Sequence, residues 1–91
     1  MPKQTNESND KKRVRLENQL LAVAQQQYRL AIKSQLLKRQ LYLLELDEQI
    51  ASPTWSTLPY ERRQNIARSR KRCLLAIKRL TDKLYEEGVT V

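Results

Sequence analysis

The side chains best able to do covalent or acid–base chemistry in this chain are a cysteine and a few carboxylates, and their setting argues against catalysis. Among 91 residues there is no His and a single Cys, Cys73. Without an imidazole, Cys73 lacks the usual base that would activate it as a nucleophile, and a zinc site with the usual ligands cannot be assembled. One thiol cannot form a disulfide within the chain, which fits a reducing compartment. Cys73 also lies between Ile66 and Ile77 on an apolar helical stripe, the place of a small core residue. Glu45, Asp47 and Glu48 are closely spaced but have no metal-loop spacing, so they read as partners for basic side chains. The lone Gly, Gly88, leaves no phosphate-cradling glycine loop. The expectation is a non-enzyme with no catalytic, cofactor-binding or metal-ligating residues and no small-molecule substrate.

The arginines carry the stronger signal. The formal charge of +8 comes from 18 basic and 10 acidic residues, distributed unevenly. From Tyr60 to Leu80 the chain carries Arg62, Arg63, Arg68, Arg70, Lys71, Arg72, Lys78 and Arg79 against Glu61 alone, a local net charge of +7. The planar guanidinium fork suits bidentate phosphate contact, so these eight residues are the candidate nucleic-acid contacts, to DNA or RNA. A solvated helix face partly paired with acids, or docking on an acidic protein, fits the same residues. The stretch from Arg62 to Arg72 is similar in composition to the basic region of leucine-zipper DNA-binding proteins. The spacing from Asn65 to Ala67 and Arg70 departs from that family's pattern, and the chain reaches Gly88 within a few turns, so no function is carried over.

Helices must position these groups. One Gly, three Pro and no Phe in a background rich in Leu, Gln, Arg and Lys is a long-helix composition, and strands are not expected. Residues 1–9 are polar and aperiodic and predict a disordered tail. Ser8 or Asp10 is a candidate cap, and no Gly or Pro follows until Pro53, which predicts a first helix over 10–52, roughly 60 Å long at 1.5 Å per residue. Pro53 disfavours helix at Ser52, Pro59 suits a helical first turn, and Gly88 suits a left-handed stop. These signals predict a turn over 53–58, a second helix over 59–87 and a tail over 88–91.

Two apolar stripes run along helix one. The first reads Leu16, Leu20, Val23, Gln27, Leu30, Ser34, Leu37, Leu41, Leu44 and Glu48, apolar at seven of ten positions in a coiled-coil-like seam. The second runs through Leu21, Tyr28, Ile32, Leu36, Leu43, Leu46 and Ile50. Helix two has one seam, Ile66, Cys73, Ile77, Leu80 and Leu84. The short connection makes the helices antiparallel neighbours. With the first stripe inward, Leu44 meets Ile66, Leu37 meets Cys73 and Leu30 meets Leu80, while Glu45 and Glu48 approach Arg62 and Arg63, and Arg29 approaches Asp82.

The predicted fold is therefore all-α, an antiparallel two-helix hairpin with a long first helix, completed as a bundle by self-association or by a partner, because two helices alone bury little area. The faces left for a protein partner or a second copy are Leu16, Leu20 and Leu21 together with Tyr28, Ile32, Leu36, Leu43, Leu46 and Ile50. Trp55 is expected to close the turn end of the hairpin. The polar first residues carry no signal-peptide apolar stretch, and the apolar runs, among them Leu41 to Leu44, Leu20 to Ala24 and Cys73 to Ile77, are all too short for a membrane span. A soluble, intracellular protein is expected, and Lys11-Lys12-Arg13-Val14-Arg15 favours the nucleus over the cytoplasm. The functional expectation is a scaffold or adaptor subunit that assembles by coiled-coil packing into a nucleic-acid-associated complex. The alternative is an autonomous dimeric regulator that contacts phosphates through the helix-two arginines.

Overall fold

The computed structural model describes residues 2–88, with side chains from residue 8 onward. The chain is all-α. Helix α1 spans Pro2–Ala51, a short 3-10 turn spans Trp55–Thr57, and helix α2 spans Tyr60–Glu86. Helix α1 thus begins at Pro2 and not at residue 10, so the polar stretch expected as a tail is helical. The sequence Lys3 to Asp10 contains no Gly or Pro to oppose a helix, and Pro suits the first helical position. Of the tail expected over 88–91, residues 89–91 lie outside the described residues.

By packing, the chain divides between Leu30 and Ala31 into two units. The first is a stretch of α1 in which every side chain from Ser8 to Tyr28 is exposed. The second holds the remainder of α1, the turn and α2, and is an antiparallel hairpin.

The turn of the hairpin is built by local hydrogen bonds that hydroxyl side chains are suited to make. The Thr54 amide donates to Ser52 Oγ at 3.3 Å, Ser52 Oγ and Thr54 Oγ1 share a bond at 2.9 Å, and Thr57 Oγ1 donates to the Thr54 carbonyl at 2.6 Å. Leu58, which precedes Pro59, is extended at φ −70° and ψ 147°, as steric conflict with the proline ring requires. Pro59 serves as the cap residue of α2, just before the first helical position, and its carbonyl accepts from the Arg63 amide at 3.1 Å. At the other end Gly88 has φ 76°, the left-handed conformation that lets the Gly88 amide turn back to the Tyr85 carbonyl at 3.0 Å. Trp55 is half-buried at the turn.

The hairpin core is thin. Ile32, Leu36 and Leu84 form a buried cluster flanked by Ile77 and Leu80, and Leu46 and Cys73 are also buried. On α1 the inward side chains are Ile32, Leu36, Leu43, Leu46 and Ile50, with Arg39 at the same register but its side chain exposed; on α2 they are Ile66, Arg70, Cys73, Ile77, Leu80 and Leu84. Both sets alternate spacings of four and three, the pattern that keeps one face of each helix against its neighbour.

This corrects the expected pairing. Cys73 Sγ donates to the Arg39 carbonyl at 3.0 Å, so the level along the helices is within a turn of the expected Leu37–Cys73 pairing. The face of α1 is different: Leu37 and Leu44, expected inside, are 52% and 54% exposed. The physical reason lies in the polar members of each stripe. The expected stripe would bring Ser34 and the charged Glu48 to the seam, whereas the observed one carries only Arg39, whose long stem can run along apolar surface and reach water.

Leu36 and Leu84 are 2% and 1% exposed and face one another across the helices, so they carry the largest share of this small core. Leu36→Ala and Leu84→Ala are each expected to destabilise the hairpin by about 2–5 kcal/mol, read as a lower denaturant midpoint at fixed protein concentration. The Cys73 thiol is 1% exposed, and its alkylation is expected to be slow in buffer and fast in denaturant. A rapid reaction in buffer would contradict the burial of this seam.

Candidate protein and nucleic-acid interfaces

The residues expected to meet a protein partner divide into two groups. Leu16, Leu20, Leu21 and Tyr28, in the first unit, are exposed. Ile32, Leu36 and Leu46 are buried inside the hairpin, with Leu43 and Ile50 partly buried on the same seam. These five therefore cover α2 and are not open to a partner, which corrects that part of the expected interface. A single helix neighbour covers a single face, and they supply it.

What remains outside on α1 of the hairpin unit is the face through Leu37, Leu41 and Leu44, which are 52%, 63% and 54% exposed. At about 100° per residue these three centre about 150° around the helix from the buried seam. They form an apolar ridge on the back of the hairpin, spaced four and three like the seam itself. The spacing was visible in the sequence; that it points outward was not, because both stripes obey the same rule.

The eight basic candidates are also sorted by the fold. Arg62, Arg68, Lys71, Arg72, Lys78 and Arg79 are exposed, while Arg63 and Arg70 are partly buried toward α1. Arg70 Nε donates to Asp47 Oδ1 at 2.7 Å, the ion pair that joins the two helices among the described residues. Glu45 and Glu48, expected near Arg62 and Arg63, make no ion pair with them. Rotating α1 onto its other stripe brings Asp47, beside buried Leu46, to the edge of the seam, and turns Glu48 away. Arg63 Nε is shielded from solvent without a hydrogen-bond partner.

Arg68, Arg72 and Arg79 lie on the far side of α2, centred about 140° from its seam by the same helical geometry. Lys71 and Lys78 flank them. No acidic residue occurs in α2 between Glu61 and Asp82, so the three turns from Arg68 to Arg79 carry cations without a carboxylate among them, with exposed Leu75 between Arg72 and Arg79. Among the described residues no three His, Cys, Asp or Glu side chains gather into a group able to hold a metal ion. No described helix is long and apolar enough to cross a membrane.

Comparison with protein-family models, with curated proteins and with solved structures finds no match for this chain. The interfaces therefore rest on geometry.

The Arg70–Asp47 pair is about two-fifths exposed on both sides, so water and salt screen it. A double-mutant cycle with Arg70→Gln and Asp47→Asn is expected to give a coupling of about 0.2–1 kcal/mol that shrinks as salt rises. A coupling of zero at low salt would remove this pair from the contacts that orient the helices.

Proposed function

We propose that this chain is a non-enzymatic scaffold or adaptor subunit whose hairpin packs by coiled-coil contact against other chains. The observation that carries this reading is the exposed ridge of Leu37, Leu41 and Leu44 on the side of α1 that faces away from α2. Apolar residues at alternating four and three spacing match the knobs that a neighbouring helix accepts into its holes. Isolated exposed leucines are ordinary on protein surfaces, but a periodic row of them is a helix-packing surface.

Energetics point the same way. Only Ile32, Leu36, Leu46, Cys73 and Leu84 are buried among the described residues, and a core of that size offsets little of the entropy of ordering two helices. Covering the ridge with one further helix would give α1 a neighbour on both sides. In the first unit Leu16, Leu20 and Val23 are exposed at the same four and three spacing and offer similar packing material. A nuclear site of action fits this reading, on the strength of the exposed Lys11-Lys12-Arg13-Val14-Arg15 cluster.

Sedimentation of the purified chain, alone and with any candidate partner, tests the proposal. Helicity and thermal midpoint are expected to rise with protein concentration or on adding the partner. Leu37→Gln, Leu41→Gln and Leu44→Gln together are expected to abolish that rise while leaving the buried seam intact. A cooperatively folded monomer at micromolar concentration, with a midpoint unmoved by these substitutions, would overturn the scaffold reading.

A further inference from the structure

We infer that the outer face of α2, built from Arg68, Arg72 and Arg79 with Lys71 and Lys78 beside them, binds the phosphodiester backbone of duplex nucleic acid. Three observations carry this. The first is that the fold divides the basic residues by task. Arg70 is engaged by Asp47 and Arg63 is turned toward α1, while the five named residues are exposed and make no ion pair among the described residues, the nearest acid in α2 being Asp82, one turn past Arg79. A cationic face left unneutralised by its own fold raises the local anion concentration and draws in a polyanion.

The second is dimension. Arg68 to Arg79 spans about 16 Å of helix at 1.5 Å per residue, and duplex DNA carries one phosphate per strand about every 3.4 Å along its axis. With both strands counted there is one phosphate about every 1.7 Å, so five cations over that length can each find a phosphate on one of the two strands that border a groove. Three of the five are arginines, whose fork makes two parallel hydrogen bonds to phosphate oxygens.

The third is what this face lacks. The aromatic residues of α2 are Tyr60 and Tyr85, at its two ends, so no ring lies among the five cations to stack an unpaired base. Single-strand binders combine a basic track with such stacking platforms, whereas backbone contact to a duplex does not need them. The face therefore favours duplex over single strand, and contacts that position the protein over contacts that read sequence.

Fluorescence anisotropy of the full chain with a duplex of about 20 base pairs, titrated across salt, tests the inference. Five phosphate contacts predict a slope of log affinity against log salt of about −4.5 on duplex DNA. Arg68→Gln, Arg72→Gln and Arg79→Gln are each expected to make the slope shallower by about one unit, and the triple variant to weaken binding at least about tenfold at moderate salt. Arg70→Gln is expected to change binding far less than the triple variant does. Absence of salt-dependent binding, an unchanged slope in the triple variant, or an equal loss in Arg70→Gln would overturn the assignment. Tighter binding to single-stranded RNA, or to polyglutamate of matched charge, would overturn it in favour of a stacking site or an acidic protein partner. The leucine ridge lies on the other helix, so sedimentation of the triple variant is expected to match the parent. Failure of phosphate binding and failure of assembly are thus separate results.

Discussion

A helix with one neighbour can bury only one of its faces, and α1 of the hairpin unit has two apolar stripes that compete for that place. Both repeat with alternating spacings of four and three, so periodicity alone cannot rank them. Their polar members can. Ile32, Leu36, Leu43, Leu46 and Ile50 are interrupted only by Arg39, whereas the stripe through Leu37, Leu41 and Leu44 contains Ser34 and Glu48. A carboxylate held in an apolar seam loses hydration that nothing there replaces, while an arginine at the margin keeps its charged end in water. The stripe through Ile32, Leu36 and Leu46 therefore faces α2, and the two outer surfaces follow from that rotation.

The polar contacts between the helices agree with this choice. Cys73 is small, and its thiol reaches the backbone carbonyl of Arg39 at 3.0 Å, which brings the helices close at the middle of the hairpin. Arg70 occupies a seam position of α2 but leans out to Asp47 at the edge. An exposed ion pair of this kind contributes little to stability. Its value is geometric, because Asp47 can meet Arg70 only when Leu46 and Ile50 point inward. Hydrophobic and charged contacts thus select the same rotation, the mutual consistency expected of a sequence that folds to one structure.

The rotation also separates two surfaces. On α1 the leucines excluded from the seam line the back of the hairpin, and on α2 the basic residues not engaged by α1 line the opposite outer face. In the readings proposed above, one surface packs against another helix and the other lies along phosphates. They sit on different helices, so occupying one leaves the other open. A scaffold that holds proteins at a nucleic acid requires that arrangement.

Much of this was legible from residues alone. Pro53, Pro59 and Gly88 mark the turn and the final stop because their backbone constraints are local. The helical class follows from composition, the buried place of Cys73 from its apolar neighbours at helical spacing, and the cationic start of α2 from a count of charges. Helix α1 starts at Pro2 and not at residue 10 because nothing in the polar segment forbids helix, and a plausible cap is only a local preference. Which stripe of α1 turns inward, and so which leucines are free and which arginines are engaged, was decided by tertiary structure. That outcome depends on the summed cost of burying Ser34 and Glu48 against Arg39 opposite a particular partner helix. No single helix carries that comparison, because it exists only once the two faces meet.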